Sequence, residues 1–536
     1  MRRDSFLRGA FILMIGSLVS RILGAVYRFI LPWMMGGGDD GAYGMALFGL
    51  PYSIYSIALV LSTLGIPLAV SKLVSEAEAG GSVRQARRVF RISVGLLAMT
   101  GAVFALALYA VTPYFVGQVW QNPDAYPGMV ALAPAVFFVA IMSAFRGLFQ
   151  GLQSMTPHAV SQIVEQIIRV GTMFILVAVL VPYGLEYAAA GATFGATTGA
   201  IAGAAYLVWV YFRNRGAMWG RFDQEEDGGG QATGLLVKRI LMFAIPISVS
   251  GLILPLMRVV DAAVVPFRLI DSGYSVTAAT TAYGYLESYS MPFVNVPAIF
   301  TTAIAISLVP SVSASLAKAD FEGIRNKAFA ALRISGLIGV PSAVGLLVLA
   351  PEIPALFWNA PEAGPVLASV SFVALFLGLQ QVSAAVLQGI GRPWIPMMNL
   401  MVGALVKLIL TWVLTGVPTL GVLGAGVASV VAFTVAVSLN FVALTQRIGW
   451  FNVGRMFWRP VVGAGFMALG VRLSVNFLSG HLGTLAGVAG GLVFGVAIYG
   501  ILILLIGGIR RSDLLMIPRV GERLAAGLKA SRLLRD

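Results

Sequence analysis

The feature that most constrains this chain is a succession of apolar runs of roughly 20 residues or more, recurring along its whole length. A run of that length spans hydrocarbon as a helix, which satisfies every backbone hydrogen bond within its own segment. The alternating ten-residue strands of an outer-membrane barrel are not found in the sequence. Composition agrees: 11% of residues are charged and the mean hydropathy is +0.89, whereas soluble domains carry about 25% charged residues. The first run is too long for a signal-peptide core and lacks a small-residue cleavage site, so it reads as a retained helix.

The runs fall at 6–34, 44–71, 92–113, 127–150, 157–181, 187–212, 240–264, 278–310, 334–350, 365–389, 395–416, 420–445, 459–478 and 484–507, which predicts fourteen spans. Basic residues alternate between the connections. Arg2, Arg3 and Arg8 stand at the N-terminus; Lys72, Arg84, Arg87, Arg88 and Arg91 follow the second span. Arg213, Arg215, Arg221, Lys238 and Arg239 follow the sixth, and Lys318, Arg325, Lys327 and Arg333 the eighth. Odd connections hold almost none, Arg268 being the exception, and several carry acids such as Asp39, Asp40 and Glu352. The positive-inside rule then places both termini and the even connections in the cytoplasm. The net charge of +14 is therefore mainly a topology signal and not a nucleic-acid footprint. The basic tail, 510–536, reads equally as an amphipathic helix on anionic lipid or as a solvated segment.

Other chemistry is narrowed by what the sequence lacks. There is no cysteine and there are two histidines, His158 and His481, which excludes thiol catalysis, disulfides and cysteine-based zinc sites. No Walker A sequence occurs, and no carboxylate or metal-ligand constellation suits a membrane-embedded transferase. The expectation is a transporter, not an enzyme, with no cofactor and no metal.

The second half echoes the first at an offset of about 240. "IPLAVSKLVSEAEAGGSVRQARRVFRIS" (Ile66–Ser93) and "LVPSVSASLAKADFEGIRNKAFAALRIS" (Leu308–Ser335) have equal length and end alike. "LFQGLQSMTP" (Leu148–Pro157) is mirrored by "VLQGIGRPWIP" (Val386–Pro396). Six spans per half is an even number, so the halves are parallel repeats, the frame of rocking-bundle transport. The expected division is an N-lobe at 1–222, a linker at 223–237, a C-lobe at 238–447, two extra helices within 448–509, and the tail from 510. Pro51, Pro67, Pro246, Pro255, Pro292, Pro297 and Pro310 are expected to interrupt the second, seventh and eighth spans.

Of 36 Lys and Arg, 29 fall at the cytoplasmic side and Arg268 outside; Arg21, Arg28, Arg169, Arg258, Lys407 and Arg472 remain within spans. Each costs on the order of 2.5–3.5 kcal/mol at a helix centre on insertion scales. The intramembrane acids are fewer: Glu165, Asp261 and Glu287. Glu165 and Arg169, at i,i+4, read as a salt bridge or as coupling groups. Arg258 and Asp261, at i,i+3, read the same two ways. Arg472 is near a helix end and can snorkel. Lys407 lies deep in its helix with no acid within four positions. Arg21 sits about 20 Å beyond the cytoplasmic edge, and Arg28 is two turns further along the same face. Their expected partner is an anion that comes and goes, such as a phosphate held by planar guanidinium donors.

"RGLFQGLQSMTPHAVSQIVEQIIRV" (Arg146–Val170), "STLGIPLAVSKLVSE" (Ser62–Glu76) and "SLVSRILGAVYR" (Ser17–Arg28) carry a family resemblance. Over essentially its whole length the chain resembles the stage V sporulation protein B branch of the polysaccharide transporter family. That branch is close to the MurJ lipid II flippases, in the MOP exporter superfamily that also holds the MATE drug exporters. The resemblance implies an all-α membrane protein with two six-helix lobes, a central cationic cavity, and a groove beside the last two helices for a polyprenyl tail. It implies a bacterial cytoplasmic membrane location, membrane lipids as surroundings, cell-wall synthesis enzymes as candidate partners, and lipid II as cargo. Arg21 and Arg28 match the family's diphosphate-holding pair in the first helix, with Arg258 and Lys407 as further candidates. Asp261, Glu287, Glu165 and Arg169 are candidates for coupling or gating. The chain departs from proteobacterial members in lacking an arginine in the second helix and in carrying Glu287 where they have arginine. The alternatives are a flippase for another polyprenyl-linked polysaccharide and a MATE-like cation-coupled drug antiporter. The surplus of buried Arg and Lys counts against the second.

Overall fold

A computed structural model describes residues 6–63, 65–80, 82–219, 233–449 and 453–507. Helix dominates throughout, and the chain divides by packing into two compact units. Of the linker expected at 223–237, residues 223–232 lie outside the described residues and 233–237 open a helix; the tail from 510 also lies outside them.

The first unit is Met1–Ile270 with Tyr274–Gly284. It holds α1 (Phe6–Met34), α2 (Gly38–Thr63), α3 (Ile66–Ala79), α4 (Val83–Tyr114), α5 (Tyr126–Gly151), α6 (Met155–Leu180), α7 (Leu185–Trp219), α8 (Thr233–Asp271, its last residue excepted) and α9 (Val276–Gly284). The second unit, Asp271–Gly273 with Tyr285–Asp536, opens on a π-helical turn at Tyr285–Ser290. It continues through α10 (Met291–Ala317), α11 (Phe321–Val348), α12 (Glu352–Trp358), α13 (Ala363–Val370) and α14 (Val373–Gly389). α15 (Trp394–Thr415), α16 (Val422–Ile448), α17 (Val453–Leu482) and α18 (Thr484–Leu505) complete it.

Among the described residues, twelve helical stretches are long and apolar enough to cross a membrane. The long helices α1 and α8 occupy the places of the first and seventh expected spans. Several helices outrun their apolar windows. α4 starts at Val83, so Arg84, Arg87, Arg88 and Arg91 ride on its opening turns rather than in a loop, and α11 carries Arg325, Lys327 and Arg333 the same way. Hydropathy reports only the hydrocarbon segment, whereas a nucleated helix gains one hydrogen bond per added residue and runs on until something stops it. Capping sets these starts: Ser82 accepts from the Gln85 amide, and Asp320 from the Gly323 amide at 2.7 Å.

The prolines do less than expected. α8 is helical throughout Thr233–Asp271, across Pro246 and Pro255. The break in the second span lies at Gly65, whose φ of 61° suits a residue without Cβ, and Pro67 opens the next helix. The eighth span is broken by the π-helical turn ahead of Pro292, not by a proline. α8 is fastened to the first unit near both ends. Arg239 pairs with Glu76 at 2.9 Å and Lys72 stacks on Phe243; further along, Trp120 Nε1 donates to the Ala262 carbonyl at 2.9 Å.

The repeat is visible in backbone detail. α5 and α14 end with the same hydrogen bonds, Ser154 N to Phe149 O and Gln153 N to Gln150 O in one, Arg392 N to Leu387 O and Gly391 N to Gln388 O in the other. The left-handed residue of that turn is Gln153 (φ 54°) in the first copy and Gly391 (φ 77°) in the second. A further regularity belongs to the first unit. Gly191, Gly195, Gly199 and Gly203 form a row on α7, and a Cβ on Gly199 would come within 2.7 Å of the Glu165 carbonyl. That row lets α6 and α7 touch along their backbones.

Candidate anion-binding site

The contact between α6 and α7 fixes how α6 presents its polar face. His158, Ser161, Glu165 and Arg169 recur at intervals of three or four, the spacing that stacks side chains on one helix face. Arg169 Nη2 donates to Glu165 Oε1 at 2.6 Å, the i,i+4 pair expected from the sequence. The other carboxylate oxygen is taken by a residue that spacing along one helix does not reveal: Arg146, on α5, donates from Nη2 to Glu165 Oε2 at 2.9 Å and from Nε to Ser161 Oγ at 3.0 Å. Ser161 in turn donates to the His158 carbonyl at 2.7 Å.

Two guanidinium groups thus share one carboxylate, leaving one positive charge uncompensated among the described residues of the cluster. The side chains are mostly buried, with exposures of 17% for Arg146, 20% for Arg169 and 14% for Glu165. Low surrounding polarity strengthens such charge-assisted bonds and also the field of the surplus charge. α2 supplies the facing wall. Phe48, Tyr52 and Tyr55 pack in sequence, and Tyr27 of α1 meets Phe48 edge to face. The phenols of Tyr27, Tyr52 and Tyr55 are electrostatic neighbours of Arg169, and Arg28 acts on Tyr52 alongside Arg169 and Glu165.

The other expected site residues are distributed as follows. Arg21 lies on α1, and its side chain is outside the described residues. Arg28 is half-buried. Arg258, on α8 in the first unit, is exposed and has no ion-pair partner among the described residues, so it forms no pair with Asp261 three residues on, which is buried. Lys407 and Glu287 belong to the second unit, Lys407 buried on α15 and Glu287 half-buried in the π-helical turn. Arg472 does not merely snorkel: its Nη1 donates to Glu352 Oε1 at 2.6 Å. Arg146, counted at the cytoplasmic edge by its place near the end of its span, is the functional candidate that sequence reasoning missed. Its presence inside the quoted Arg146–Val170 motif was the available signal.

Besides the buried Lys407, the second unit holds a neutral hydrogen-bonded network. Asn399 donates to Asn440 at 2.8 Å, Asn440 donates to Ser383 at 3.0 Å, and Thr301 and Thr302 both donate to Gln381. It also holds an apolar cavity of about 720 Å³ between α10, α11, α12, α17 and α18, lined by residues such as Leu337, Leu346, Met467, Val488 and Ile503. Its volume is in the range of cavities that enclose small organic ligands. Gly491 and Gly495 keep one wall low, and Tyr499 turns its hydroxyl onto the Leu337 carbonyl at 2.9 Å. Among the described residues no three His, Asp or Glu gather as a metal site.

Comparison with known proteins follows this architecture. The family model described as polysaccharide biosynthesis protein matches residues 6–316, and the MatE model matches residues 272–413. The chain is 29% identical to Stage V sporulation protein B of Bacillus subtilis (strain 168), over 97% of this chain and 99% of that protein. It is 28% identical to Lipid II flippase MurJ of the same organism, over 83% of this chain and 84% of that protein. A solved structure of Lipid II flippase MurJ in an inward closed conformation superposes with a TM-score of 0.65 at 15% identity, covering 92% of this chain and 100% of that one. At that identity the likeness speaks to the fold.

Proposed function

The chain belongs to the polysaccharide biosynthesis protein family, and on that premise we propose that it is a flippase for a polyprenyl-diphosphate-linked glycan, with lipid II as the cargo. The observation that carries the reading is the excess of guanidinium over carboxylate inside the first unit, where two arginines grip one glutamate and Arg28 adds its field beside them. Membrane interiors tolerate such charge where it meets a counter-ion or a polar cavity. The anionic headgroup of such a cargo supplies the counter-ion. In this reading Arg21 and Arg28 hold the diphosphate, with Arg258 as a further candidate cation of the first unit and Lys407 as one of the second. The cavity beside α17 and α18 takes part of the polyprenyl tail, its apolar wall replacing acyl chains at no hydrophobic cost.

The membrane is the bacterial cytoplasmic one, with both termini and the basic helix extensions on the inner side, consistent with the distribution of Lys and Arg. A cation-exporting antiporter would be served by an acidic interior, and the charge balance of the first unit points the other way. Leaflet-resolved transport in proteoliposomes tests the proposal. Purified protein should move lipid II between leaflets while a protein carrying Arg21→Ala and Arg28→Ala does not. Equal movement by both would overturn it.

A further inference from the structure

The diphosphate pair of α1 leaves open which of the headgroup's anions the second cationic group, on α5 and α6, meets. Around it two buried donors make no hydrogen bond among the described residues: Arg169 Nε and Tyr55 Oη. Tyr55 is 3% exposed, and Arg169 and Glu165 are the charged groups acting on its hydroxyl. A buried donor left unmade costs about 1–3 kcal/mol, so native structures keep few of them and those few call for a water, an ion or a ligand. Here both border a cluster with one positive charge to spare, and that cluster is not sealed, since about a fifth of each guanidinium side chain is exposed.

From this geometry we infer a second recognition site in the first unit, distinct from the diphosphate pair: a monoanion site for a carboxylate on the cargo's glycan-peptide headgroup. It rests on the flippase reading above. Two donors and a positive field call for an acceptor that carries negative charge, which excludes a cation. The fixed negative charge of Glu165 sets the size of that charge. One surplus positive charge balances one carboxylate, while a diphosphate would place two or more negative charges beside Glu165. Arg169 Nε and Tyr55 Oη then hold the carboxylate oxygens, and Arg146 keeps Glu165 in place. Arg146 is a positioning residue, since its Nη2 and Nε are engaged by Glu165 and Ser161.

The test uses the full-length protein in lipid nanodiscs and two probes: an undecaprenyl-diphosphate muropeptide with free carboxylates, and the same molecule with those carboxylates amidated. Wild type should bind the free form about tenfold more tightly, the weight of one charge-assisted hydrogen bond. Tyr55→Phe and Arg169→Lys should each reduce that preference severalfold while binding of the amidated form stays unchanged. Tyr55→Phe should unfold no earlier than wild type without ligand, because the hydroxyl it removes has no hydrogen-bond partner among the described residues. Equal binding of the two forms by wild type overturns the inference and leaves the flippase reading standing; that comparison needs no variant. Failure of wild type to bind either form overturns the flippase reading, and the inference with it.

Discussion

Arg146 and Arg169 hold opposite oxygens of a single carboxylate, Glu165, from two different helices, at 2.9 Å and 2.6 Å. The arrangement is a joint between α5 and α6 as much as a charge cluster. Removing its centre is therefore more damaging than removing an arm. Glu165→Gln leaves two guanidinium groups facing each other and should cost about 2–4 kcal/mol, the scale of a broken buried pair. Arg146→Gln added to it should recover part of that loss, a coupling visible in a double-mutant cycle of thermal unfolding.

The glycine row on α7 predicts a steric effect at long reach from any ligand. Gly199→Ala would drive a methyl group to 2.7 Å from the Glu165 carbonyl and should destabilise by about 1–3 kcal/mol, the cost of overpacking. Gly171→Ala, on α6 with no heavy atom within 4 Å of the added carbon, should not lower the unfolding temperature and should raise it slightly through helix propensity.

Arg28 and Arg472 are both arginines within apolar helices, and they should separate in a transport assay. Arg28→Ala is expected to abolish cargo movement and Arg28→Lys to leave part of it, because an ammonium lacks the planar fork. Arg472→Gln should transport normally and lose less than about 1 kcal/mol, since its pair with Glu352 has a half-exposed arginine.

Filling the apolar cavity of the second unit should discriminate by tail length. Leu346→Trp is expected to slow movement of undecaprenyl-linked cargo severalfold while sparing a short-chain analogue of the same headgroup. Transport of both at the wild-type rate would remove the cavity from the mechanism.

Membrane orientation can be measured cleanly because the chain has no cysteine. Lys318→Cys, between α10 and α11, and Ser275→Cys, ahead of α9, both lie at exposed positions. An impermeant thiol reagent applied to intact cells should label Ser275→Cys and reach Lys318→Cys only after lysis.

Much of this molecule was legible in its sequence, for reasons that particular residues make plain. Glu165 and Arg169 were found because a helix brings i and i+4 together whatever surrounds it. Arg146 was missed because its partner lies on another helix, 19 residues away, and near a span's end an arginine reads as a cytoplasmic charge. The apolar core of α4 was recognisable, but its polar opening turns were not, since hydropathy is silent where a helix leaves hydrocarbon. The prolines misled at α8: neighbouring groups and local adjustment accommodate a missing amide donor inside a long helix, so Pro255 marks no break there. The repeat also shows where the copies part. By the correspondence of Pro157 with Pro396, Glu165 falls at Ala404 and Arg169 at Leu408, so the charge cluster has no counterpart on α15.

With Gly195 and Gly199 seated against the backbone of α6, that helix has no room to roll about its own long axis. Any rearrangement of the cluster has to come from side-chain rotamers, or from α6 and α7 travelling together as a single plank. An incoming anion consequently meets donors already held in place, and little of its affinity is spent on ordering them.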